Sequence, residues 1–362
     1  MCLAPNSFVR GLALGALSLL GMCVLSVTCR SGPYGESNRP ELAPAASVSS
    51  SPWTSADSCE RALGRRAPAD GVVRIATWNV RWFPDAVVEA EPKNGGTDLR
   101  WLGCALSWLD ADVFVLQEIK THPRARRAMS EIIQGLNVRS GGDWRVETMR
   151  CGGGNLPHIA FLYDGSRVQA KNFRDLPGLN PDPVCSIDVG PGFAGYFRFS
   201  GGLDLHIIGV HFLAGDEPHS LEKRRRSYAA LPREVDRLQQ SLPDSDVLIA
   251  GDWNTSGCEE CKPPVKTNDE LRMALEWLAR PPVSFGAVTP SVPCTQGFSD
   301  EPQLLDHFVA SRQLQQMQLG EQAVVSGHCA ESRCAREQGD IASERLSDHC
   351  PVVLSLVDRD HD

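Results

Sequence analysis

Short apolar runs, each ending at a single acid, amide or imidazole, recur along this chain and predict most of its elements. Val72 to Trp78 reads as a strand ending at Asn79, and Val113 to Gln117 as one ending at Glu118. Leu203 to Val210 ends at His211, and Val247 to Ala250 leads through Gly251 to Asp252 and Asn254. Leu304 to Ala310 carries Asp306-His307 near its start, and Asp348-His349 stands just ahead of Val352 to Leu356. Ile159 to Tyr163 is a further short buried strand. Helical spacing places Leu99, Leu102, Leu106 and Leu109 on one face of Asp98 to Leu109. It also predicts a helix over Asn268 to Leu278, with Leu271, Leu275 and Leu278 inward. Ser220 is the expected N-cap of a helix carrying Lys223-Arg224-Arg225-Arg226, which Pro232 should bend or divide. Strands interspersed with helices from Gly71 to Val357, with no composition break, predict one layered α/β domain.

The segment before Gly71 has a different character. Arg10 precedes Gly11 to Thr28, an uncharged and mainly apolar stretch that reads as an export segment or a membrane anchor. Leu25-Ser26-Val27-Thr28-Cys29 resembles a lipoprotein cleavage box, with the Leu one position farther from the cysteine than usual. Residues 1–29 are thus expected to be a signal peptide, lipoprotein signal or anchor. Residues 30–70, rich in Ser, Pro, Ala and Gly, are expected to be a flexible linker. Setting aside Cys2, Cys23 and Cys29 leaves ten of the thirteen cysteines, enough for five disulfides in an exported chain. Cys59 is expected to pin the end of the linker to the domain. Cys258-Glu259-Glu260-Cys261 reads as a structural disulfide rather than a zinc site, because no second pair at zinc-finger spacing follows.

A net charge of −9 argues against a protein that coats nucleic acid by bulk attraction. The basic runs, Lys120 with Arg124, Arg126 and Arg127, and 223 to 226, read first as solvated helix faces. The polar stations say more. Glu118, Asp252, Asp348, Asn79 and Asn254 offer hard oxygen ligands, which suit Mg²⁺, with Mn²⁺ or Ca²⁺ as alternatives, better than zinc. His211 and His349 offer proton transfer near neutral pH. Such a set is what phosphodiester hydrolysis requires.

Six stations in this order (Trp78-Asn79, Gln117-Glu118, Val210-His211, Gly251-Asp252-Trp253-Asn254, Leu305-Asp306-His307 and Ser347-Asp348-His349) resemble the endonuclease/exonuclease/phosphatase superfamily over residues 71–357. The resemblance implies a four-layer α/β sandwich, two packed mixed β-sheets flanked by helices, with the site where strand ends of both sheets meet. Within the superfamily the chain is most similar to the DNase I-like secreted nucleases. Asn79-Val80-Arg81 resembles that branch's Asn-apolar-Arg start, and Gln117-Glu118-Ile119-Lys120 its Gln-Glu-apolar-Arg segment. Arg81 and Lys120 are therefore the implied substrate contacts, Lys120 without the planar fork of Arg. The branch also implies a disulfide joining Cys258 and Cys294, with Cys261 as the alternative partner.

The resemblance implies roles for the stations. Glu118 is the implied principal metal ligand, with Asn79 and Asp348 close to the ion. His349 is the implied phosphate contact and acid or base, oriented by Asp306; His211 is the second imidazole, with Glu147 as its implied orienting acid. Asp252 would position or deprotonate water and Asn254 bind a phosphate oxygen. Which of Asp252, His211 and His349 is the base stays open. His307, His158 and His206 read as structural, and Trp78, Trp82 and Trp253 as packing supports. The expected function is a metal-dependent phosphodiesterase, an exported monomeric endonuclease acting on DNA or RNA. It would be secreted or held in the cell envelope, touching membrane only through its N-terminal lipid or anchor. The alternatives are a sphingomyelinase or other phosphoester hydrolase, and a non-catalytic binding module on the same fold.

Overall fold

In the computed structural model the described residues are 51–63, 71–87, 96–180, 190–279, 284–297, 302–335 and 341–360. The expected export segment, Cys29 and most of the expected linker lie outside them. The apolar runs are buried on both faces, and the period-two alternation of a strand sorts their residues between an inter-sheet core and a helix-facing core. In β2 (Val113–Ile119), Val113 and Val115 enter the inter-sheet core while Phe114 and Leu116 face helices. In β8 (Val247–Asp252), Leu248 and Ala250 face the other sheet while Val247 and Ile249 face outward.

Two six-stranded mixed sheets result. The first comprises β1 (Val72–Phe83), β2, β3 (Trp144–Thr148), β4 (His158–Asp164), β11 (Val324–Val325) and β12 (Val352–Val357), in the order β11-β12-β1-β2-β4-β3. The second joins β5 (Val168–Leu176), β6 (Gly190–Phe199), β7 (Asp204–His211), β8, β9 (Phe285–Ala287) and β10 (Asp306–Ser311), in the order β5-β6-β7-β8-β10-β9. β1 with β2, and β7 with β8, are parallel; the other pairings are antiparallel. Gly209 lies on the inner row of β7, where a Cβ would come within 2.9 Å of Ile159 and Val115 on the opposite sheet. Its missing side chain lets the sheets approach there.

α1 (Ala56–Ala62), α2 (Leu99–Leu109) and α3 (Pro123–Ser140) cover the outside of the first sheet. α4 (Pro218–Ser241) and α5 (Thr267–Leu278) cover the second. The four-layer expectation holds. α2 starts as read, with the Asp98 carboxylate accepting from the Trp101 N–H at 3.0 Å. α4 differs from its expectation: Glu217 is the N-cap, Ser220 donates to the Glu217 carboxylate, and the helix runs through Pro232. Packing of Tyr228, Leu231, Val235 and Leu238 against the sheet carries it past the missing N–H. α5 buries Glu270, Ala274 and Leu278, leaving Leu271 and Leu275 half-buried.

The linker expectation fails over residues 51–63, which fold onto the domain. Trp53 is buried against Trp78 and Trp108, and Cys59 is bonded to Cys104 of α2. Other disulfides join Cys258 to Cys261, Cys294 to Cys334 and Cys329 to Cys350, and Cys151 is also disulfide-bonded. The implied Cys258–Cys294 pairing is thereby corrected: the three-residue spacing lets Cys258 close a local loop first, and Cys294 takes Cys334.

Candidate active site

The inner rows that build the inter-sheet core also deliver the polar stations. On β1 the row runs Val73, Ile75, Thr77, Asn79; on β7 it runs Leu205, Ile207, Gly209, His211; on β8, Leu248, Ala250, Asp252. On β10, traced backwards, it runs Ala310, Phe308, Asp306. Each station is the next inner position after the apolar ones stop, so all four emerge at one open end of the sandwich. Register sets three side by side, with Asp252 opposite both His211 and Asp306. The Asn79 amide crosses between the sheets, donating to the Asp252 carboxylate at 3.0 Å and to Glu118 at 3.0 Å.

Glu118 reaches this mouth by another route. It follows Phe114 and Leu116 on the helix-facing row, but its φ of 63° is left-handed and breaks the alternation. Arg81 and Trp82 opposite it, with φ of 41° and 47°, form an irregular step in the β1–β2 register. Such conformations cost about 1–3 kcal/mol each and persist where the surroundings impose them. Here they aim backbone donors at side chains: the Trp82 N–H donates to Glu118 at 2.9 Å and the Arg81 N–H to the Asn79 side-chain Oδ1 at 3.0 Å. Asn254, with φ of 48°, closes a matching turn on the other sheet. Its backbone N–H donates to Asp252 at 2.9 Å, and one amide hydrogen goes to the Phe212 carbonyl at 2.8 Å.

His349 and Asp306 form the tightest ionisable pair in the mouth, Nδ1 to Oδ2 at 2.9 Å. Ser347 accepts from the His349 N–H at 3.1 Å and donates to the Asn79 carbonyl at 2.6 Å, fixing the loop ahead of β12 against β1. Burial works against a charge on His349. The Asp306 and Asp252 carboxylates outweigh it and raise the imidazole well above its ordinary pKa. Burial likewise pushes Asp306 up to about 6, moderated by His349. His349 Nε2 is left pointing toward Asp252, 3.7 Å away. His211 Nε2 lies 3.6 Å from Glu118 and 3.8 Å from Asp252, and among the described residues no carboxylate holds its other nitrogen.

Glu118, His211, Asp252, Asn254 and His349 line an open mouth of ≈ 390 Å³, together with Arg81, Trp82, Ala214, Gln296 and Asp348. The Glu118, Asp252 and Asp348 carboxylates all line it, and no lysine is among its described lining residues. That hard-oxygen set fits a divalent cation. Asp252, Asp306 and His349 also cluster closely enough to share an ion. The Asp306–His349 hydrogen bond and the raised pKa of that imidazole favour a protonated ring, which opposes a cation there, so Glu118 and Asp348 are the better-placed ligands. Asn79 spends its side-chain NH2 on two carboxylates and its Oδ1 on the Arg81 N–H, so it holds the ligands rather than joining them.

Lys120 departs from its implied role as a substrate contact. Its side chain is fully buried, with Nζ 3.0 Å from Asp85 and 2.7 Å from the Val87 carbonyl. Asp85 also meets His122 at 2.9 Å, so the Lys120 charge ties the end of β2 to the turn after β1. Arg81 does line the mouth, its guanidinium donating to the Glu344 carbonyl at 2.7 Å. Glu147 lies on edge strand β3 and lines a separate cavity with Arg150 and Asp175, so it does not orient His211. Arg224, expected on a solvated face, is buried in a pair with Glu270 at 2.6 Å; it also donates to the Leu213 carbonyl at 3.0 Å, bracing the loop after β7. Trp78 and Trp253 are packing supports as read, but Trp82 is half-exposed in the mouth. His307 turns to the outer row and shares a hydrogen bond with Thr255 at 2.9 Å. Sequence reasoning missed Asp85, two residues past the end of β1, and Gln296.

The sequence matches the Endonuclease/Exonuclease/phosphatase family over residues 76–349. The chain belongs to this family. No curated protein sequence matches it. Among solved structures, an endonuclease/exonuclease/phosphatase from Bacteroides vulgatus is similar, with TM-score 0.54 and 14% identity, covering 79% of this chain and 98% of that one. The human Nocturnin catalytic domain with bound sulfate gives TM-score 0.51 and 13% identity, covering 80% and 95%. TDP2 of D. rerio in complex with a single-strand DNA product gives 0.50 and 14%, covering 79% and 99%. At these identities the structural likeness establishes the fold. The family is one of phosphoester hydrolases that generally depend on a divalent metal.

Proposed function

We propose that this chain is a Mg²⁺-dependent phosphodiesterase, an exported endonuclease that cleaves DNA by in-line attack of water. The observation that carries the reading is the buried Asp306–His349 pair facing the Glu118, Asp252 and Asp348 carboxylates in one mouth. A divalent ion held by Glu118 and Asp348, with Mn²⁺ or Ca²⁺ as alternatives, would neutralise phosphate charge and stabilise the leaving oxygen. His349, kept protonated by Asp306 and Asp252, donates from Nε2 to a non-bridging phosphate oxygen. Asp252 orients the water and takes its proton as the new P–O bond forms and the bond to the 3′ oxygen breaks. His211, on the opposite flank, hands a proton to that oxygen. Asn254 and Arg81 hold the remaining phosphate oxygens. Four disulfides among the described residues support an oxidising compartment, hence export with or without lipid at Cys29.

The test is an assay of the purified chain with Mg²⁺, Mn²⁺ or Ca²⁺ on plasmid DNA, RNA, sphingomyelin and soluble sugar phosphates. Cleavage of DNA, abolished by chelator and by Glu118→Gln, is the expected result. Intact DNA beside a cleaved lipid or phosphomonoester would overturn it.

A further inference from the structure

A second cavity lies beside the catalytic mouth, and the proposed mechanism makes no use of it. It encloses ≈ 570 Å³, within the usual size range of small-ligand sites. The end of β2 separates the two: Glu118 lines the mouth, while Ile119 lines the cavity. Its floor is apolar, built from Ala125, Met129 and Ile133 of α3 and Val146 of β3. The Thr121 and His122 N–H groups both donate to the Gly154 carbonyl, at 2.8 and 3.0 Å, so the loops around it are tied to one another.

Its polar groups point to a ligand with two different ends. Arg126 and Arg150 stand exposed on the rim. The Arg126 Nε donates to the Thr121 carbonyl at 2.8 Å, which orients the guanidinium and leaves its terminal nitrogens without a protein partner among the described residues. The Arg150 guanidinium also has none; only its backbone N–H is engaged, by Asp175. Among the described residues no Asp or Glu lines the cavity, in a chain whose net charge is −9. At the inner end His158, 2% exposed, sets Nδ1 against the Leu156 and Ile119 carbonyls at 2.7 and 3.1 Å. Two carbonyl acceptors place the hydrogen on Nδ1, and burial lowers the imidazole pKa, keeping it neutral. Nε2 is then an acceptor with no partner among the described residues, on a residue that lines the cavity.

We infer that this cavity binds a nucleoside monophosphate unit, free or as one nucleotide of a bound strand. The base lies over Met129, Ile133 and Val146, a ring or amino N–H donates to His158 Nε2, and the phosphate meets Arg126 and Arg150. This deepens the nuclease reading and rests on it for its relevance, since a strand in the mouth would have a second hold nearby.

The test titrates the full-length chain by calorimetry in chelator, so that no divalent ion engages the catalytic mouth. The probes are adenosine 5′-monophosphate, adenosine, inorganic phosphate, a tetranucleotide and dodecyl phosphate. Adenosine monophosphate should bind at least tenfold more tightly than adenosine or phosphate. Arg126→Ala with Arg150→Ala should weaken it at least tenfold, and Met129→Trp, which fills the floor, should abolish it. Both changes should leave kcat on a small chromogenic phosphodiester at its original value. Competition by the tetranucleotide assigns the site to the strand, and its failure assigns it to the free nucleotide. The proposal is overturned if adenosine monophosphate binds no better than phosphate, or if binding survives the arginine double substitution, whose exposed side chains leave the fold intact. Equal binding of dodecyl phosphate overturns it as well, in favour of an anionic amphiphile. Nucleotide binding without DNA cleavage would sink the nuclease reading alone, and DNA cleavage without nucleotide binding would sink this site alone.

Discussion

His349 and His211 flank the same carboxylates, yet the molecule treats them differently. His349 is almost closed off, backed by Asp306 at 2.9 Å and tied by its backbone to Ser347. His211 is 14% exposed and, among the described residues, meets the Glu118 and Asp252 carboxylates of the mouth, at 3.6 and 3.8 Å. A buried imidazole with a dedicated carboxylate has a fixed tautomer and orientation; an imidazole without one takes its orientation from the substrate. The two flanks are therefore unequal before any ligand binds, His349 preorganised and His211 recruited.

The largest effect should come from the preorganised side. His349→Ala should lower kcat/KM on plasmid DNA by about 10³-fold or more, because it removes a charged donor to the phosphate. Asp306→Asn should cost about 10²-fold and also change the pH profile. Asp306 holds the His349 proton, so its loss lowers that pKa, and the alkaline fall in kcat should begin at lower pH. His211→Ala should cost about tenfold to 10²-fold; a loss equal to that of His349→Ala would erase the comparison. Lys120→Met should leave KM for DNA within about twofold, yet destabilise the fold by about 1.5–3 kcal/mol in urea titrations, because Asp85 keeps only His122 and Arg124 as partners. The smallest effect on activity belongs to His307, a third imidazole that lies on the outer row. Burial lowers its pKa to about 4 from 6.5, so the unfolded chain takes up a proton that the folded one refuses. Stability should fall by about 3 kcal/mol as pH drops from 6.5 to 4, and His307→Gln should flatten that dependence without changing kcat at neutral pH.

The stations on inner rows were legible because period two does not stop where the apolar residues do. Asn79, His211, Asp252 and Asp306 can be placed from Ile75, Ile207, Ala250 and Phe308 alone. Glu118 was found by resemblance, but nothing in its neighbours announces the left-handed turn that brings it in. Lys120 was misplaced because its partner Asp85 lies 35 residues upstream, on the turn after β1, a pairing that local spacing does not show. β5 was missed for a related reason: most of its residues are polar and only partly buried, as suits a strand at the edge of its sheet. α3 was hidden by its arginines, although Ala125, Met129, Ile132 and Leu136 keep helical spacing. Pro232 was given its usual weight as a breaker, which packing on the sheet overrode.

The shared inner rows have an effect on how this protein can drift. Val115, Ile207, Ala250 and Phe308 are inter-sheet core residues, three of them on the very rows that end in the site. Trimming one leaves space that neighbouring strands close by shifting along their length, and the strand tips shift with them. Substitutions that elsewhere cost only thermal tolerance would here blur the aim of groups several residues away. Neutral variation should therefore gather on the faces turned to α2 to α5 and avoid the seam between the sheets.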